Sequence, residues 1–132
     1  MHLTVYFFRV CACKSFKSNF ECCKKITWDG EFQMTVAEFQ KSLAAEAPPQ
    51  GTRTTLAALW WDAKGDWQHA HSLVDELETA EGMAVHAYLH RKEGAASNAD
   101  YWYQRAGRTF YRPSLDDEWQ ALVQGLVAVK VG

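Results

Sequence analysis

His86 and His90 stand four residues apart and Glu93 follows three further on. On a helix turning about 100° per residue, these three fall within roughly a 60° arc. Two imidazoles at that spacing can reach one metal ion, with Glu93 or His71 as a third ligand, or either can act as acid or base near neutral pH. His86 and His90 are therefore the candidate catalytic residues, and His71, His86, His90 and Glu93 the candidate metal ligands. A wider polar set surrounds them. His71, His86, His90, Asn98, Tyr101 and Arg105 are expected to line one pocket walled by Trp61, Trp67 and Trp102. In it the Arg105 guanidinium would fork a carboxylate or phosphate, and the whole would suit a small polar ligand, anionic or sugar-like. The ordinary alternative is that these side chains pack: a histidine at the edge of an apolar stripe commonly bonds a carbonyl or carboxylate, and Arg105 with Tyr101 can close a network of their own.

Several chemistries lack their residues. Ala87 follows His86, so the H-E-x-x-H pattern of a metalloprotease is missing. Beyond residue 23 there is no cysteine, and neither G-x-S-x-G nor a glycine-rich phosphate loop occurs. No cofactor fingerprint is present; the one cofactor candidate is a divalent metal at the histidines. The net charge of -2 gives no electrostatic reason to expect nucleic acid or an anionic membrane surface.

Helices must position this set. Thr35 and Glu38 have the spacing of a capping box that opens a first helix, about 36–47, stopped by Pro48-Pro49. The punctuation predicts further helices over about 54–64 and 67–79, the first ended by Gly65 and the second capped by Asp66. Two more are predicted over about 82–93, ended by Gly94, and 99–107, capped by Ser97 or Asn98. A last one, about 115–129, follows a Ser114/Asp117 box. No β-branched alternation competes, so the fold expected is all-α: five to six short helices packed as antiparallel hairpins in a repeat-like bundle.

The first 33 residues differ in kind. They hold all four cysteines (Cys11, Cys13, Cys22, Cys23) and five Lys and Arg against three acids, whereas nine face thirteen from Met34 onward. They read as an N-terminal extension, poorly ordered or from a non-native start, ahead of one helical domain over 34–132. A secretory signal is a poor match because Arg9 interrupts the apolar run.

Gly65 and Gly94, and Ala70 and Ala99, lie 29 residues apart. Gly65-Asp66-Trp67-x-x-Ala70 resembles the turn of a tetratricopeptide repeat, and Ala99-x-Tyr101-Trp102-Tyr103-x-x-Ala106 the second helix of a Sel1-like repeat. Over about 56–123, Trp60-Trp61, the stretch 64–67, Ala70-His71, the stretch 85–94, and Asn98-Ala99-x-Tyr101-Trp102-Tyr103-x-Arg105-Ala106-Gly107 resemble a small family of bacterial and fungal hypothetical proteins. That resemblance implies no activity. Its pattern has an Asp where this chain has Ala95, which speaks against a cap or ligand role there. The function expected from the residues is a small cytoplasmic binding module for a small polar ligand or a partner segment, without nucleic acid or membrane. The alternative is metal-dependent or histidine acid/base chemistry of hydrolase or lyase type.

Overall fold

Side-chain caps and glycine turns set the helix boundaries in the computed structural model, which describes residues 34–108 and 112–128. The first helix, α1 (Val36–Ser42), opens on the expected capping box: Thr35 Oγ1 accepts from the Glu38 amide, and the Glu38 carboxylate accepts from the Thr35 amide. It stops five residues before Ala47. The amides of Leu43, Ala44 and Ala45 bond three residues back instead of four, tightening the chain ahead of Pro48-Pro49.

Then come α2 (Thr54–Ala63) and α3 (Trp67–Val74), α4 (Ala80–Lys92) and α5 (Ala96–Arg105), and finally α6 (Leu115–Ala128). Among the described residues the fold is all-α, six helices with no strand. The turns after α2 and α4 repeat one motif. Gly65 and Gly94 take φ of 88° and 93°, a region open to glycine. In each turn the glycine amide bonds the carbonyl three residues back and the next amide the one five back: Asp66 to Trp61, Ala95 to His90. The helices so joined, α2 with α3 and α4 with α5, make the most extensive packing contacts in the fold.

Two other boundaries move by three residues or more, each for a reason that matters to the site. The third helix ends at Val74 and not at Thr79, because the Thr79 hydroxyl accepts from the Gly82 amide and caps α4. Leu77 closes down on Gly82 so tightly that a Cβ there would lie 2.6 Å from the Leu77 Cβ. The fifth helix starts at Ala96 and not at Ala99, with Ala95 at its cap and no side-chain cap bond. Ser97 and Asn98 thereby fall inside its first turn, and Asn98 is released from capping.

The centre of the fold is α4, which touches α2, α3, α5 and α6. Nine consecutive residues, Gly82 to His90, are buried, as expected of a helix enclosed on every side. Polar bonds pin its neighbours. Buried Asp62 on α2 accepts from Lys92 Nζ at 3.0 Å and from the Tyr88 hydroxyl at 3.2 Å. Burial and the Asp62 carboxylate push the Tyr88 phenol upward, keeping it a donor. On α6, Glu118 accepts from Arg91 of α4 and from the Tyr103 hydroxyl of α5. Trp60 is fully buried and donates to Ser42 Oγ on α1 at 3.1 Å, while Trp119 of α6 donates to the Leu59 carbonyl at 3.1 Å. No helix among the described residues is long and apolar enough to cross a membrane. The expectations placed on residues 1–33 lie outside the described residues.

Candidate metal centre

His86 and His90 occupy successive turns of α4, and both are buried, at 3% and 8% exposure. The sequence placed them at the margin of an apolar stripe. The enclosure of α4 by four helices turns that margin into interior. His71, half-buried on α3, meets them across the α3/α4 contact. The three Nε2 atoms form a triangle: His86 to His71 2.9 Å, His86 to His90 3.0 Å, and His71 to His90 3.3 Å. The corresponding ring centres stand 4.6, 4.7 and 5.0 Å apart. Each nitrogen pair is thus closer than its ring pair, so the rings converge with Nε2 innermost.

Convergence of this kind suits coordination. Three ring nitrogens can pair with one another only where one donates and another accepts, whereas three neutral rings can all turn a lone pair to one ion. An ion about 2.0–2.1 Å from each nitrogen would set them roughly 2.9 Å apart at right-angle geometry and roughly 3.4 Å at tetrahedral geometry. The observed separations span that range. Among the described His, Cys, Asp and Glu residues, these three form the one group with ligand atoms so close together.

The surroundings fix the rings. Glu93 Oε1 lies 2.7 Å from His90 Nδ1. A carboxylate accepts, so the proton sits on Nδ1 and Nε2 is left with its lone pair inward. Glu93 therefore orients His90 from behind and does not join the triangle, which His71 completes. Trp67 stacks on His71 with centroids 4.8 Å apart and donates to the Leu89 carbonyl of α4 at 2.9 Å, while Trp102 stacks on His86 at 4.2 Å. His86 Nδ1 is buried with no hydrogen-bond partner among the described residues, whereas its Nε2 meets the other two rings.

Burial, followed by the neighbouring His71 and His90, pushes His86 down to about 4; Asp75 pulls weakly the other way. His71 is likewise lowered, by burial and then by His90, against Asp75 and Glu93. Both rings are neutral at physiological pH, the protonation state a metal requires. In metal-free protein the sign follows from linkage. Unfolded His86 takes up a proton near 6.5 and folded His86 only near 4, so its contribution to stability is complete above about pH 6.5 and shrinks as pH falls towards 4. Melting temperatures in chelator should decline across that window, and less steeply in His86→Leu; equal slopes would count against a neutral buried ring.

Other expected site residues lie elsewhere. Trp61 stacks on His69 at 4.3 Å and meets Trp60 edge-on, so it is no wall of the histidine cluster. His69 and His71 are two residues apart on α3 and point to opposite sides, which carries Trp61 away with His69. The Arg105 guanidinium is 5.1 Å from the Trp102 ring centre and 5.7 Å from that of Tyr101, with Glu78 at 3.9 Å. Tyr101 is 53% exposed and accepts from Arg105 at 3.5 Å. Asn98 does reach the cluster, its Nδ2 lying 3.3 Å from His90 Nε2 and 3.4 Å from Nδ1. Asp75, whose charge bears on both His71 and His86, has as its one sequence signal the i, i+4 spacing from His71.

Comparison with family models, with curated proteins and with solved structures finds no match to this chain.

Proposed function

We propose that this protein binds a divalent transition-metal ion at His71, His86 and His90 and that its function is exercised through that ion. The observation that carries the reading is the triangle of Nε2 atoms, none more than 3.3 Å from another. Neutral imidazoles suit zinc, copper, nickel, cobalt and iron, whereas magnesium and calcium prefer oxygen ligands. Structural zinc sites close with four protein ligands, and catalytic ones keep three with a position for water or substrate. A set of three histidines favours the second group. This favours metal-dependent hydrolase or lyase chemistry, in which the ion lowers the pKa of a bound water. The binding-module reading rests on a different observation, the exposed Tyr101 beside Arg105, which offers a cation and a flat ring to a small polar ligand or a partner segment. A cytoplasmic location accompanies both readings.

Metal analysis of the purified protein, followed by calorimetric titration of the chelator-stripped form with zinc, decides the matter. One ion per chain is expected. A folded protein that carries no metal and takes up neither zinc nor cobalt overturns the proposal. Glu93→Gln should keep the fold and weaken zinc binding about 10–100-fold, the usual effect of losing a carboxylate behind a ligating histidine; unchanged affinity would show that Glu93 does not orient His90.

A further inference from the structure

We infer that the metal centre takes a small anion as its exchangeable ligand, and that Asn98 donates a hydrogen bond to it. This rests on the metal reading above and adds the class of ligand and the residue that receives it. Three protein donors do not complete the coordination shell of a first-row ion, which takes at least four. The three are neutral imidazoles, so the ion keeps its positive charge; the nearby Glu93 carboxylate is engaged behind His90 and adds no donor. A bound anion supplies the missing donor and offsets that charge together.

Asn98 shows where the ligand sits. Its Nδ2 stands 3.3 Å from His90 Nε2 and 3.4 Å from Nδ1. Nδ1 donates to Glu93 and so does not accept, which leaves Nε2 as the acceptor. An ion bound at Nε2 would take that lone pair and free the amide N–H groups beside the ligating atom. A ligand on the ion adjacent to Nε2 would lie about 3 Å from that nitrogen, within reach of this amide. Asn98 is exposed whereas His86 and His90 are enclosed, so the amide meets His90 from the solvent side. The three Nε2 atoms lie within 3.3 Å of one another beside that amide, which favours a small species.

Azide titrated into the cobalt-loaded protein tests this, with visible absorption as the readout. The cobalt bands should shift saturably with azide. Asn98→Ala should bind cobalt as the parent does and azide roughly tenfold more weakly, the worth of one hydrogen bond to a charged acceptor. Asn98→Asp, which keeps the shape and replaces the donor by a negative charge, should weaken azide further. Cobalt bands that azide does not move, or Asn98→Ala binding azide as tightly as the parent, overturn the inference while leaving the metal site standing. A chain that develops no cobalt bands overturns both.

Discussion

Replacing His86 with alanine should abolish the stabilisation that zinc confers. For the parent protein, zinc at about 100 times its dissociation constant adds about 2.7 kcal/mol to the folded state. In a domain of about 100 residues that raises the melting temperature by roughly 10–20 °C. His86 supplies one of three ligand atoms and lies 2.9 and 3.0 Å from the other two. Loss of an outer-shell partner already costs about 10–100-fold in affinity, so loss of a ligand should exceed about 100-fold and bring the zinc-dependent shift close to zero. Thermal denaturation with zinc and with chelator, parent against variant, measures it. A His86→Ala protein that still gains the full shift would place the zinc elsewhere, and the histidine cluster would then be packing. His69→Ala is the control: His69 stacks on Trp61 outside the cluster, and its loss should leave the shift intact.

Glu118→Ala should destabilise the fold by about 3 kcal/mol without touching the metal centre. Glu118 and Arg91 form a largely buried pair, with side-chain exposures of 12% and 20%, and Glu118 also accepts a hydrogen bond from the buried Tyr103 hydroxyl. Removing one partner of such a pair costs about 3–5 kcal/mol, because the other is stranded away from water. The lower end applies, since Arg91 keeps its bond to the Pro113 carbonyl. The melting temperature should fall by roughly 10–20 °C. Glu118→Gln, which still accepts a hydrogen bond, should lose less. Zinc affinity of the folded variant should match the parent's, because Glu118 belongs to α6 and contacts none of the three histidines. A loss below about 1 kcal/mol in Glu118→Ala would mean that water replaces the carboxylate freely.

The contrast between these two variants reflects how differently the features are encoded. Capping at Thr35, Asp66 and Ser114 and the turns at Gly65 and Gly94 could be read residue by residue, because each is decided within a few positions by a side chain meeting a nearby amide or by a φ that glycine accepts. Local signals mislead where two compete. Thr79 continues the third helix's pattern yet caps the next one, and Ser97 and Asn98 have cap chemistry although the Gly94 turn starts α5 at Ala96. A lone carboxylate after two tryptophans, Asp62, gives no sign that Lys92 and Tyr88 meet it from α4.

The metal candidates divide along the same line. That His86 and His90 share a face of one helix follows from the sequence by itself, since a spacing of four residues on an α-helix permits nothing else. Tertiary structure alone decided that His71 and not Glu93 completes the triangle, that both α4 histidines are enclosed, and that Trp61 stacks on His69. Those outcomes depend on how α3 lies against α4 and on how many helices cover α4. Packing between elements distant in the chain sets both, and helical periodicity carries no information about it.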